Sequence, residues 1–157
     1  MFDAIIETPI GDLGLQFHQA KLIAVQFLEQ QVIPIPFARQ PLEVRKITNK
    51  IEAFFSFPED LTHLPYKFFR GTAFQKKVWQ ALRKIPLGET LTYGQLAEKL
   101  NTSARAIGMA CRTNPLPVVI PCHRIVAATH LGGYCGHIEG EKLSIKEWLL
   151  AHERSSC

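Results

Sequence analysis

YGQLAEKLNTSARAIGMACRTN, from Tyr93 to Asn114, is the stretch whose reading decides the fold. Tyr93–Leu100 reads as a short helix. Asn101-Thr102-Ser103 is a turn, and Ser103 can cap a second helix over Ala104–Thr113. Two short helices joined by so tight a turn predict a helix-turn-helix. In the second helix Ala104, Ala106, Gly108 and Ala110 are small, so another backbone can come close. Arg105 and Arg112 are the long cationic exceptions, about two turns apart and on roughly one face. That combination suits a phosphate backbone. It suits equally a tightly packed internal helix with two snorkelling arginines. Tyr93, opening the first helix, has two readings as well: a hydroxyl for a phosphate or base, or a cap on the core.

Upstream, the chain reads as a small sheet. Phe2–Glu7, Leu13–His18 and Leu22–Leu28 are rich in Ile, Val, Phe and Leu, with turns expected at Gly11–Gly14 and Gln19–Lys21. Val32–Pro41 is irregular. Leu42–Phe55 turns helical, with Val44, Ile47, Ile51 and Phe54 recurring every three or four residues. Residues 56–70 form a connector broken by Pro58 and Pro65. Thr72 then caps a helix whose apolar stripe is Phe74, Val78, Leu82 and Ile85. Downstream, Pro115, Pro117 and Pro121 forbid helix up to Cys122. Gly132-Gly133 and Gly136 mark a loop, and Leu143–His152 is a last amphipathic helix. The expected fold is therefore α/β (α+β). A small sheet-plus-helix domain with connector, residues 1–70, precedes a mostly helical domain, residues 71–157, containing a winged-type helix-turn-helix.

The chain has 157 residues, 46% of them hydrophobic, enough for a core and too apolar for disorder. No apolar run approaches the roughly 18–20 residues of a membrane helix. The start, MFDAIIETPIGD, has no basic n-region, so a soluble, cytoplasmic protein is expected. Residues 1–70 hold 7 Lys/Arg and 8 Asp/Glu, net −1; residues 71–157 hold 11 and 6, net +5. The second half is the one to test for a polyanionic partner, although such a charge also serves as a soluble surface.

Cys111, Cys122, Cys135 and Cys157 form no CxxC pair and no zinc-finger spacing, so no metal site is expected. A disulfide framework is not expected either. Pro121-Cys122-His123-Arg124 is the candidate for chemistry. A thiol needs a nearby base or positive potential to act as thiolate, and His123 and Arg124 adjoin it. Pro121 fits the first position of a new turn, which would set Cys122 near backbone N–H groups. A buried structural cysteine beside a surface histidine is the competing reading.

In order along the chain stand Tyr93-Gly94-Gln95-Leu96-Ala97, Ala104-Arg105-Ala106-Ile107-Gly108, Asn114-Pro115, Ile120-Pro121-Cys122-His123-Arg124-Ile125-Val126, Gly133-Tyr134 and Lys146-Glu147-Trp148-Leu149-Leu150-Ala151-His152-Glu153. This succession resembles the O6-alkylguanine-DNA alkyltransferases, densely from about Gly71 to Glu153 and more loosely before. Alkyltransferase-like proteins carry Trp at the cysteine position; Cys122 therefore implies the active form.

The resemblance implies stoichiometric, irreversible repair: an alkyl group leaves O6-alkylguanine in duplex DNA, or O4-alkylthymine, for Cys122. The target must leave the stack first, because in-line attack on it is impossible inside a duplex. By the same resemblance His123 takes the thiol proton and Glu153 orients His123. Asn114 braces the cysteine turn. Tyr93 assists flipping and joins the guanine pocket. Arg105 enters the vacated stack, and Arg112 is structural or touches a phosphate. Ala104, Ala106 and Gly108 lie against DNA. Tyr134, Cys135, Gly136, Ile125 and Pro117 line the pocket. No cofactor is implied, and a monomer is expected. Family members usually read Tyr-x-Gly-Gly; here the loop after Tyr134 is longer by about five residues, with Cys135 at its start. Zinc-binding members use cysteines in the first domain, and this one has none. Two rivals are a cysteine hydrolase using Cys122 and His123, and a non-catalytic DNA-binding module. The Pro-Cys-His-Arg context argues against both.

Overall fold

In the computed structural model, which describes residues 2–29, 40–134 and 141–155, β1 (Ala4–Thr8), β2 (Gly11–His18) and β3 (Lys21–Leu28) form an antiparallel sheet in that order. Gln19 and Ala20 both take positive φ, 49° and 65°, between His18 and its partner Lys21. Left-handed conformation at both positions is what a two-residue hairpin turn requires. The turn expected at Gly11–Gly14 lies instead at Pro9-Ile10, and both glycines belong to β2. Gly14 is there for space: a Cβ would stand 2.5 Å from the Phe2 ring.

Helix α1 (Leu42–Phe54) buries Val44, Ile47, Ile51 and Phe54, the expected stripe. The residues from 30 to 39 lie outside the described set, so most of the expected irregular segment Val32–Pro41 is not addressed. The free edge of β3 holds two segments from elsewhere. The Leu22 N–H donates to Pro65 O at 2.9 Å, and the Val25 N–H donates to Pro115 O at 3.0 Å. The second bond ties the sheet to the loop that leads to Cys122.

Helix α2 (Ala73–Leu82) begins at Thr72 with a full capping box, Thr72 and Gln75 each satisfying the other's backbone. Phe74 was expected in its apolar stripe but is 36% exposed, in the first turn; Trp79 is buried in its stead and donates its indole N–H to Ala110 O at 2.8 Å. Gly71 makes room for that indole: its φ is +117°, and a Cβ would lie 2.6 Å from the ring.

The decisive stretch folds as α3 (Tyr93–Lys99) and α4 (Ala104–Arg112). Thr92 caps α3 with a second capping box, and the Ser103 hydroxyl accepts from the Ala106 N–H at 3.1 Å. Asn101 supplies the left-handed residue between them, φ 53°. Only Ile107 and Ala110 of α4 are buried. Strands β4 (Leu91–Thr92) and β5 (Ile125–Val126) pair in parallel, Leu91 with Ile125. That short pairing sets the start of α3 beside the segment just after Cys122. The closing helix α5 (Glu141–Arg154) is about one turn longer than expected and brings Glu153 into its last turn. His152 stacks on Trp148 and donates to Phe54 O at 2.6 Å, locking α5 to α1. Sheet residues such as Leu13 and Val25 share one buried cluster with Val78, Ile107, Ile120 and Leu149.

Candidate active site

Three prolines and one asparagine shape the approach to Cys122. Asn114 accepts from the Leu116 N–H at 2.9 Å and donates its amide to Ile120 O at 2.8 Å, spanning the loop from both sides. Inside that brace Val118, buried and β-branched, holds φ at 74°. Such a backbone persists only where its surroundings overdetermine it. Cys122, His123 and Arg124 then form one 3₁₀ turn, closed by the Arg124 N–H on Pro121 O at 3.0 Å. The Cys122 N–H is engaged with Ile120 O at 2.8 Å, and three residues carry little dipole.

His123, Arg124 and Glu153 are all buried, at 0%, 2% and 0% exposure. The His123 Nε2 stands 2.7 Å from Glu153 Oε2. Arg124 grips the same carboxylate through Nε and Nη2, both at 2.9 Å, and donates Nη1 to Ile85 O at 2.7 Å. A charged, bidentate pair of this kind is the form in which burial of ions is tolerated. Burial pushes the Glu153 carboxyl up, yet the bonds from His123 and Arg124 outweigh it and hold it at about 2. Burial pushes His123 below its usual range despite the pull of Glu153. The pair is therefore a carboxylate and a neutral imidazole. Since a carboxylate only accepts, Nε2 carries the hydrogen. That leaves Nδ1 as an acceptor, buried and with no hydrogen-bond partner among the described residues.

Helix α5 presents a second group on the same face as Glu153. Lys146, seven residues earlier, is fully buried and donates to Ile125 O at 2.6 Å and Gly133 O at 2.8 Å. It joins β5 to the loop before Tyr134 and sits 5.9 Å from the Tyr93 ring centroid. Neither Lys146 nor the Arg124 clamp was singled out in the sequence. The signal was present: residues 146, 149, 150 and 153 share one helical face, and two of the four are charged.

Above these groups opens a cavity of about 780 Å³. Cys122, Tyr93 and Cys111 line it, with Arg105, Gly108, Met109 and Arg112 of α4 on one wall and His130, Gly132, Gly133 and Tyr134 on another. Ala104 also lines it, and Ala106 is half-buried on the same helix. Tyr134 is buried, edge-on to Phe27 at 6.0 Å. Ile125 and Pro117 are buried but do not line the cavity. Cys135 and Gly136 lie outside the described residues. Burial, then the neighbouring thiols of Cys111 and Cys122, push the Tyr93 hydroxyl up to about 12, and burial pushes Cys111 to about 12 as well. Tyr93 thus remains a proton donor at neutral pH. Gly132, φ +80°, allows the loop to pass its ring, where a Cβ would stand 3.0 Å away. Among the described residues, no group of three or more His, Cys, Asp or Glu could hold a metal, and no helix is long and apolar enough to cross a membrane.

Comparison with known proteins gives this arrangement a context. The family described as 6-O-methylguanine DNA methyltransferase, DNA binding domain, matches residues 73–155. A methylated-DNA–protein-cysteine methyltransferase of Methanosarcina acetivorans is 36% identical over 99% of both chains. One from Shigella flexneri is 35% identical over 94% of this chain and 92% of its own. The crystal structure of Mycobacterium tuberculosis O6-methylguanine methyltransferase superposes with a TM-score of 0.79 at 34% identity, covering 98% of this chain and 92% of that one. A second Mycobacterium tuberculosis structure, in complex with DNA, gives 0.79 at 33% identity over 98% and 93%. With its fold, its Cys122 cavity and full-length relatives in agreement, the chain belongs to the methylated-DNA–protein-cysteine methyltransferase family.

Proposed function

We propose that this protein repairs DNA by direct reversal, moving an alkyl group from O6-alkylguanine, or from O4-alkylthymine, to the sulfur of Cys122. The observation that carries the reading is the buried Glu153–His123 pair, next in sequence to a Cys122 that lines an open cavity. Nδ1 of His123 accepts the thiol proton, directly or through one water, and Glu153 orients the ring and supports its charge. The sulfur forms a bond to the alkyl carbon as the carbon–O6 bond breaks. The electron pair stays on the base, which regains a proton at the Tyr93 side of the cavity. The product is a thioether, which none of the described residues around Cys122 hydrolyses, so each molecule acts once.

The base must leave the duplex to reach a thiol this deep, which costs a few kcal/mol. The exposed α4 face, with Arg105 and Arg112, holds the DNA while Arg105 fills the gap. Ala104, Ala106 and Gly108 let the helix lie close to the backbone, and Asn114 fixes the loop that presents the thiol. The partner is then duplex DNA, bound by a monomer, with residues 71–157 forming the DNA-binding and transfer domain and residues 1–70 supporting it. No cofactor enters this displacement.

Incubation with duplex DNA bearing one labelled O6-methylguanine, followed by peptide mass spectrometry, tests the reading. One methyl group on Cys122 per protein molecule is expected, and none in Cys122→Ala, which should still bind the lesion. Label at wild-type rate on another cysteine, or repeated turnover on an ester, would overturn it.

A further inference from the structure

The Met109 side chain is not part of the buried core. It is 61% exposed on α4, whose buried residues are Ile107 and Ala110. It also lines the cavity that holds Cys122. Arg105, Gly108, Met109 and Arg112 follow at helical spacing, so the thioether projects one turn from each exposed arginine on a common face. Neither arginine is paired with an acid among the described residues. A large apolar side chain in water between two cations, at the rim of a deep cavity, matches a polyanion that also presents apolar surface. Duplex DNA does so where a base has left the stack.

We propose, building on the transfer reading above, that Met109 is an apolar wedge against the base step next to the extruded nucleotide. The arginines hold the phosphates and the gap, while the thioether covers the unstacked edge. Inserted apolar side chains serve this purpose in proteins that open base steps, and the unbranched, polarisable thioether adapts to an irregular surface. Gly108, beside it, keeps the helix low enough for contact. A Cβ there would only touch Tyr93 at 3.8 Å, so space for the interior does not demand the glycine.

The test measures affinity for duplex DNA bearing O6-methylguanine across salt, and, separately, transfer from free O6-benzylguanine to Cys122. Met109→Ala and Met109→Gln should each bind lesion duplex about ten-fold more weakly, the size expected when burial of most of a methionine side chain is lost. The salt slope should be unchanged, because no phosphate contact is removed. Met109→Leu should restore binding, and, because Met109 also lines the cavity, any loss in free-base transfer should be clearly smaller than the loss on lesion duplex. Unchanged affinity in Met109→Ala, a Leu variant as weak as Ala, a reduced salt slope, or a matching loss on the free base would each overturn the wedge. If the wild type leaves no adduct on Cys122 while Met109→Ala still weakens duplex binding, the transfer reading fails and the wedge stands.

Discussion

The floor and the rim of the cavity are built on opposite principles. Behind Cys122, which stands for the floor, His123, Arg124, Lys146 and Glu153 do not line the cavity; they are polar or charged and almost wholly buried, held by bonds of 2.6–2.9 Å. At the rim, Arg105, Met109 and Arg112 are exposed, and the two arginines have no acidic partner among the described residues. Burying a charge is tolerable only when its partners are fixed in advance, so the floor is completed by folding. The rim is completed by what binds. Substitutions at the floor should therefore damage stability and chemistry together, whereas those at the rim should spare the fold and reveal themselves only on DNA.

The largest effect is expected at Glu153. Glu153→Gln weakens the clamp on Arg124 and removes the charge that supports His123. Transfer should slow by about 10²–10⁴, the usual range for an impaired proton-transfer group, and stability should fall by about 2–4 kcal/mol. The pH profile separates the two roles. Glu153 raises the His123 pKa, so its loss should move the acid limb of the transfer rate to lower pH. An unmoved profile would reduce Glu153 to a structural anchor. In the wild type, stability itself should rise with pH from about 2 to about 6.5. Below 6.5 the unfolded chain protonates His123 where the folded one resists, and below 4.5 it protonates Glu153, held in the fold at about 2. Urea titrations at several pH values read this directly.

Asn114 should come next. Asn114→Ala strips its partner from the Leu116 N–H, at about 1–3 kcal/mol for a buried group left unpaired, and takes one of two donors from Ile120 O, which keeps the Cys122 N–H. Val118 would then be free to relax from its left-handed backbone, and Cys122 would shift with it. Transfer to both duplex and free base should drop together. A fall on duplex alone would move Asn114 from the floor to the rim.

The same division explains what could be read in advance. Strands, helices and caps followed from local pattern: the stripe of α1, the Thr72 and Ser103 caps and the two helices around Asn101 are all encoded within a few residues. Misreadings arose where a local signal served a distant contact. Gly14 resembles a turn residue but makes room for Phe2, and Phe74 fits the stripe of α2 while Trp79, needed by Ala110 O, fills the core. At the site, Cys122 and His123 stood out by adjacency, and Glu153 entered by resemblance. The Arg124 clamp and the buried Lys146 did not, because their partners lie 29 and 21 residues away. Backbone strain at Val118 has no sequence signature at all, valine being an improbable residue for that conformation.

At the rim, Arg105 should show the larger effect. Arg105→Ala should slow duplex repair, by about ten-fold if it fills the vacated stack, and leave reaction with free O6-benzylguanine intact. Equal losses on both substrates would mean a damaged pocket, and the proposed finger would have to be given up.

Arg112 should give the smallest change and the most specific one. It lies at the C-terminal end of α4, two turns from Arg105, next to the Thr113-Asn114 corner. A guanidinium there is too far along the axis to follow the same base step, but it can reach a phosphate on the flank. Its stem leans on the helix, so truncation should cost little stability. Arg112→Ala should then weaken all duplexes to a similar extent, alkylated or not, and lower the slope of log affinity against log salt by roughly one charge. Once DNA is saturating, the rate of transfer should match the wild type. The informative comparison is the salt series with two duplexes, one lesion-bearing and one undamaged. If affinity falls only for the lesion duplex, or the slope does not change, Arg112 reads the opened step together with Arg105, and the rim acts as one unit in which phosphate contact and base replacement are no longer separable.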